Sequence, residues 1–314
     1  MRLPRPFTQL PVLFDVAALQ AEVAALPGQA WAAHPDGVAG NSAVRLITAG
    51  GGETDAHHGQ MLPTRWLDAM PYTRQNLAGF GVVWSRSRLM RLAPGAQVPP
   101  HADINHHWHT RVRLHIPVFT RPEVQFHCDG ETVHMGAGEA WIFDNWRMHR
   151  VDNASAYDRV HLVADTTGTA AFWHFALGAP PPRGSWPVLR FDPRADPRLM
   201  TECDQRTPIM PAAEVQMLVE DLRAELVPGS DHAEGRVAVS RFAMLLDSFV
   251  QDWRQLCALH GTAGRAAGEF RALADAVRRN AQPLAQGIVM RTNGAAAMLV
   301  LEKRVLDHLV TAAT

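Results

Sequence analysis

Arg111-Val112-Arg113-Leu114-His115-Ile116-Pro117-Val118-Phe119 is the stretch that decides the fold class of this chain. Val112, Leu114 and Ile116 recur at every second position, the period of a half-buried strand and not of a helix. Arg111, Arg113 and His115 therefore share the opposite face. On pattern alone the apolar row is the core side and the polar row meets solvent. An inward polar row would bury three cationic or polar groups, which is costly unless anions bind there.

The strand signal extends on both sides. Segments 81–92, 124–127, 132–135, 139–143 and 159–164 read as further strands, separated by Pro94-Gly95, Asp129-Gly130, Gly136-Ala137-Gly138 and the polar run 152–155. Asp129-Gly130 is a hairpin signal in its own right. Many short strands with few helical gaps predict an antiparallel barrel or jelly roll. Before them, 15–26 predicts a short amphipathic helix, with Asp15 as N-cap, Leu19, Val23 and Leu26 on one face, and Pro27-Gly28 as its stop. The pattern from about 30 to 78 is irregular, and Gly50-Gly51-Gly52 through Asp55-Ala56-His57-His58 reads as a loop.

A Pro-rich joint follows the strands, with Pro180-Pro181-Pro182, Pro187, Pro193 and Pro197. Beyond about 210 the period becomes helical. Val215, Leu218 and Leu222 mark one helix; Phe242, Leu245, Leu246 and Phe249 a second; Phe270, Leu273 and Val277 a third; Met298, Leu301, Val305, Leu306 and Leu309 a fourth. The expected architecture is mainly β with appended α. A β domain spans 1–180, and the joint plus a helical domain span 181–314.

Composition narrows the class of function. Of 314 residues, 47% are hydrophobic and 19% charged, which suits a globular chain with a sizeable core. A net charge of −1 with interspersed signs leaves no electrostatic footprint for nucleic acid or an anionic membrane. Cys128, Cys203 and Cys257 are scattered without metal or redox spacing and read as reduced thiols. Pro4 and Pro11 interrupt the N-terminal region before any secretory apolar stretch, and no run approaches the ~18 apolar residues of a membrane span. A soluble, cytoplasmic protein is expected.

Histidine is the outlier: nine of the sixteen lie between His101 and His161. His101 and Asp103 are two apart after Pro99-Pro100, so an extended segment presents both to one side. His149 follows the apolar run Trp141-Ile142-Phe143 and can join them from a neighbouring strand. Two imidazoles and one carboxylate occupy one face of an octahedral Fe(II) and leave positions open for a co-substrate and O₂. Arg159, ten residues beyond His149, offers a planar, permanently charged partner for a carboxylate. Asp144 is a competing carboxylate, but its place before His149 suits a turn. His106, His107 and His109 sit in what reads as a loop, and His134 is a weaker candidate for lining a pocket.

From Pro94 to Asp165 the chain resembles the aspartyl/asparaginyl β-hydroxylase family of Fe(II)/2-oxoglutarate-dependent oxygenases, including its bacterial free-proline hydroxylases. The resemblance rests on Pro94-Gly95-Ala96-Gln97-Val98-Pro99-Pro100-His101, on Arg113-Leu114-His115, on Gly138 through Phe143-Asp144, on His149 and on Arg159. The carboxylate ligand missing from the family's animal peptide hydroxylases is present here as Asp103, as in the free-proline enzymes. The resemblance implies a double-stranded β-helix (jelly-roll) core and hydroxylation coupled to oxidative decarboxylation of 2-oxoglutarate. His101, Asp103 and His149 would hold Fe(II), and Arg159 would pair with the distal carboxylate of 2-oxoglutarate. Arg113, His115 and His134 would line the co-substrate site and Arg111 the substrate side, which turns the polar row inward. The implied partners are O₂ and a small amino acid or a peptide, with a homodimer left open for the helical region.

Two other functions fit part of the pattern. A cupin-like metalloenzyme or isomerase could use His149-x-x-x-Asn153, but would not need Arg159. A non-catalytic small-molecule sensor could keep the same barrel, but would not need open metal positions.

Overall fold

In the computed structural model of the chain, the described residues are 1–33, 37–195, 198–204, 206–230 and 233–311. Two units are present: Met1–His101 with Thr110–Asp204, and Ala102–His109 with Gln205–Thr314.

The first unit begins with β1 (Phe7–Phe14), α1 (Val16–Ala24), β2 (Ala32–Ala33), β3 (Asn41–Ala49), β4 (Met61–Pro63), α2 (Arg65–Asp68) and α3 (Pro71–Gly79). It continues through β5 (Val83–Leu92) and β6 (Gln97–His101). After α4 (His107–Thr110) come β7 (Val112–Phe119), β8 (Val124–Cys128), β9 (Glu131–Val133), β10 (Glu139–Phe143), β11 (His149–Asn153) and β12 (Arg159–Thr166). It closes with α5 (Ala170–Leu177), β13 (Val188–Leu189) and β14 (Met200–Thr201).

A large sheet runs β13-β1-β10-β7-β12-β5-β3-β2, and a smaller one runs β6-β11-β8-β9. All eight residues of β12 are buried, as expected of a central strand covered on both faces. One cover is a core of Leu10, Val44, Leu89, Leu114, Ile116, Ile142 and Leu162 packed with Leu19 and Val23 of α1, Leu77 of α3 and Phe172 of α5. The other cover is a smaller aromatic cluster between the sheets, with Phe7 and Phe143 from one and Phe126, Cys128 and Val151 from the other. Alternation then directs Arg113, His115, Arg159, His161 and Asp165 to the inner face. The reading in which the polar row meets solvent is corrected: a second sheet, not water, covers that face.

Several boundaries differ from the sequence reading for local reasons. β1 carries Pro11 at a register shift between Leu10 and Leu13, a place where a sheet tolerates proline but the strand pattern is lost. The region 30–78 is not irregular. It contains β3, whose period is interrupted by a bulge between Arg45 and Ile47, and α3. The 15–26 helix stops at Ala24, with Asp15 Oδ1 accepting from the Ala18 amide as its cap. The expected turn at 152–155 begins later, since Asp152 and Asn153 belong to β11. His107 and His109 lie in the short helix α4, not in a loop.

The Pro-rich joint stays with the strands: β13 pairs in parallel with β1 and β14 with β5. The division therefore falls after Asp204 and not near 180; Pro197 lies outside the described residues. In the second unit, α6 (Ala212–Glu225), α7 (Ala233–His260), α8 (Ala267–Leu284) and α9 (Ala297–Arg304) pack on one another, and the Trp253 ring of α7 meets Phe249 of the same helix and Phe270 of α8. Segment 102–109 is tied into this unit. Arg304 donates to the Ile104 carbonyl and the His106 amide to the Lys303 carbonyl, while His106 contacts Glu214 at 3.0 Å.

Among the described residues no helix is long and apolar enough to cross a membrane. None of the three cysteines is in a disulfide, and burial pushes the Cys128 thiol up to about 12, so it is an inert core residue.

Candidate metal and anion site

His101 ends β6 and His149 begins β11, and the two are paired across the ladder of the smaller sheet. Their ring centroids lie 4.2 Å apart. Each ring is oriented in the same way: Nδ1 of His101 meets the Pro99 carbonyl at 2.8 Å, and Nδ1 of His149 meets the Arg147 carbonyl at 2.9 Å. A carbonyl only accepts, so both Nδ1 atoms carry the proton and the lone pair that could meet a metal is on Nε2 of each ring. Asp103 follows His101 by two residues. His101, Asp103 and His149 each offer a ligand atom, all within 4.8 Å of one another. The three side chains singled out by their spacing therefore lie together.

The remaining carboxylate near His149 is otherwise employed. Asp144 is buried and accepts from the Leu3 and Trp146 amides and from Arg147 Nε. Its role is to hold the turn that leads into β11. Asn153, the cupin-like candidate, donates to the carbonyls of Leu92, Ala93 and Tyr157 and accepts from Ser155. It is committed to a turn and stands at the far end of β11 from His149.

Arg159 starts β12 and is 5% exposed. Burial alone lowers its pKa to about 9, so it stays charged at neutral pH at a desolvation cost that an incoming anion would offset. Its Nε is buried without a hydrogen-bond partner, as are Nε2 of His115 and Nε2 of His161. Arg159 Nη2 lies 2.8 Å from His161 Nδ1, and His161 Nδ1 lies 3.4 Å from His115 Nδ1. Burial first, then the Arg159 charge, holds both imidazoles well below their usual pKa, so both are neutral. The His115 ring packs against Phe126 and Phe143, and both of these also contact the His149 ring.

The other sequence-predicted residues fall less centrally. Arg113 forks onto the buried Asp165 through Nε and Nη2, at 2.7 and 3.1 Å. Arg111 forks onto Glu202 in the same manner. His134 lies beyond β9, with Nδ1 3.0 Å from the Val124 carbonyl. Three residues escaped the sequence reading. His161 was legible only as one position after Arg159 on the same strand face. Arg45 and Arg88 pair across β3 and β5, and Asp55, on the glycine-rich loop, bridges them with contacts of 2.5 and 2.6 Å. Like charges directly opposite in a ladder need such a bridge.

Residues 59–168 match the family model described as Aspartyl/Asparaginyl beta-hydroxylase. The resemblance read from the motifs is thus borne out over that segment. Among curated relatives, L-proline cis-3-hydroxylase 1 of Streptomyces sp is 28% identical over 142 residues, 41% of this chain and 48% of that protein. L-proline cis-4-hydroxylase of Rhizobium meliloti (strain 1021) is 28% identical over 117 residues, 37% of this chain and 42% of that protein. The chain spans less than half the length of each of these relatives. A solved Pseudomonas putida prolyl-4-hydroxylase is 12% identical and covers 53% of this chain and 95% of its own, with a TM-score of 0.36, too loose a match to carry an argument.

Proposed function

We propose that this protein is an Fe(II)- and 2-oxoglutarate-dependent hydroxylase of a free amino acid or of an aspartyl/asparaginyl-type residue in a peptide, built on a double-stranded β-helix core. The observation that carries the reading is the pairing of a His–Asp–His cluster with a buried, charged arginine on the inner face of the sheet. The donor set suits Fe(II), and two imidazoles with one carboxylate leave coordination positions open. The unmet buried polar atoms of Arg159, His115 and His161 suit an anion on that face. When bound, iron with 2-oxoglutarate and O₂ supplies the oxidation, releasing succinate and CO₂.

The chain's own contribution is binding, orientation and electrostatics. His101, Asp103 and His149 would hold the metal, and the carbonyls of Pro99 and Arg147 fix which imidazole nitrogens face it. Arg159 would hold the distal carboxylate of the co-substrate. His115 would border that carboxylate, and the aromatic pair Phe126 and Phe143 would exclude water between it and the metal. Arg113 would present its guanidinium, already oriented by Asp165, to a substrate carboxylate, with Arg111 toward the substrate side and His134 on the co-substrate side. Names of the relatives favour a small amino acid as substrate. The test is a screen of free amino acids and short peptides with Fe(II), ascorbate and 2-oxoglutarate. Succinate release stimulated by one compound, with a product heavier by one oxygen atom, is expected. Full turnover without 2-oxoglutarate would overturn the reading.

A further inference from the structure

We propose that His106, Glu214 and His308 of the second unit form a second divalent-metal site, with a donor set suited to Zn(II). It shares no residue with the cluster of His101, Asp103 and His149, and it does not rest on the hydroxylase reading. His106 stands in the histidine-rich run 106–109, which has no partner ligands at metal spacing in the sequence. The fold supplies them from α6 and from the short turn Leu306–His308.

His106 Nε2 lies 3.0 Å from Oε1 of Glu214, in the first turn of α6. The His308 ring lies beside that of His106, with centroids 4.9 Å apart and planes 32° from parallel. A ring nitrogen of one histidine is within 4.8 Å of a ring nitrogen of the other. Ligand atoms on one tetrahedral ion with bonds of about 2.0–2.1 Å stand roughly 3.3 Å apart, a spacing these rings reach by small rotations. The backbone also orients His308. The Lys303 carbonyl accepts from its ring and from the His106 amide. A carbonyl only accepts, so that ring nitrogen carries the proton and the lone pair is on the other. Metal-binding imidazoles are commonly held in this way, as His101 and His149 are by their own carbonyls.

The chemistry of the trio fits an ion better than an ion pair. A pair of His106 with Glu214 needs no second imidazole beside it, and two protonated rings at this spacing repel each other. Two imidazoles and a carboxylate suit Zn(II), with a fourth position for water. Each ligand must lack a proton at the atom that binds. Burial first, and then the neighbouring His106, holds the His308 pKa below its usual value, which favours the neutral ring. At His106 the ion would replace the proton that Nε2 shares with Glu214, and the ring would keep its proton on Nδ1. All three residues are half-buried, so an ion can enter from solvent. An ion held there would staple segment 102–109, which carries Asp103, to α6 and to the Leu306–His308 turn.

The test is calorimetric titration of full-length protein with Zn(II), repeated with Co(II), whose visible absorption is stronger in a tetrahedral site than in an octahedral one. The background carries His101→Ala and His149→Ala, which removes the first cluster. One equivalent of Zn(II) is expected to bind to it, Co(II) should give the tetrahedral spectrum, and Zn(II) should raise the melting temperature. Adding His308→Ala or His106→Gln should abolish that equivalent and the melting shift. Glu214→Gln should weaken binding by roughly tenfold or more. His106→Gln can still donate to Glu214, so its metal-free melting temperature should stay near that of the background, which separates a lost ligand from a lost hydrogen bond. No bound equivalent in the background, or one that survives both His308→Ala and His106→Gln, overturns the proposal and leaves the proposed function standing. Absence of 2-oxoglutarate turnover in a wild type that keeps this equivalent overturns the hydroxylase reading and leaves the second site standing.

Discussion

The two faces of the large sheet are built from the same strands and have opposite chemistry. On β7, Leu114 and Ile116 enter a core shared with α1, α3 and α5, while Arg113 and His115, one residue out of step, face the smaller sheet. On β12, Leu162 and Ala164 lie on the first face and Arg159, His161 and Asp165 on the second. Both faces are buried. The first is stabilised by apolar area removed from water. The second buries charge and leaves polar atoms of Arg159, His115 and His161 unmet, an arrangement that favours a ligand over stability. Residues adjacent in the chain therefore serve folding and chemistry separately, and substitutions on the two faces should separate in the same way.

The largest separation is expected at the metal cluster. Replacement of His101, Asp103 or His149 by Ala should reduce turnover to background and weaken Fe(II) or Mn(II) binding, with the melting temperature of the metal-free protein nearly unchanged. Activity and calorimetry on the same samples check this, and wild-type turnover in His149→Ala would remove the site. Next is Arg159→Ala. Losing a desolvated charged partner costs about 2–5 kcal/mol, so the 2-oxoglutarate requirement should rise by roughly 30-fold or more. Arg159→Lys restores charge without the fork and should rescue in part. An unchanged 2-oxoglutarate dependence in Arg159→Ala would break the contrast between the faces.

On the opposite face the effect should be stability alone. Ile116→Ala empties a fully buried position, and such truncations cost about 2–5 kcal/mol. Denaturant unfolding should register that loss, while metal and 2-oxoglutarate affinities measured well below the melting temperature stay at wild-type values. A matching loss of affinity would mean that the faces are coupled.

The smallest effect is a pH dependence. His115 and His161 have native pKa values depressed below the 6.5 of an exposed imidazole. The unfolded chain therefore takes up these protons first as pH falls. Their contribution to stability is intact above about 6.5 and is lost below it, by about 1.4 kcal/mol per pH unit for each histidine. Melting curves from pH 7.5 to 5.5 should show the decline, and His161→Gln should make it shallower. An unaltered slope in His161→Gln would show that this ring does not titrate on unfolding.

Much of the site was legible before the fold. His101, Asp103, His149 and Arg159 are singled out by residue type and spacing, and strand pairing brings the two histidines together. The helices of the second unit were also legible, because amphipathic periods persist through α6, α7 and α8. What escaped had a local cause. Pro11 and the Arg45–Ile47 bulge each interrupt a period-two pattern, so β1 and β3 read as irregular chain. Asp144 and Asn153 carry polar groups compatible with a site, and only their hydrogen bonds show them to be turn residues.

By itself the amino-acid sequence determined the strand period, the identity of the side chains proposed to bind metal and the charge that accompanies them. These properties are local, since the pleat sets the alternation and residue chemistry sets the ligand class. Only the tertiary structure decided which face of β7 and β12 is the interior. Alternation defines two faces but does not say what covers each, and here helices cover one and a second sheet the other. The same holds for His161. Its unmet Nε2 and its depressed pKa exist because burial removes water and Arg159 lies within reach, two conditions set by residues distant in the chain as well as by its own strand.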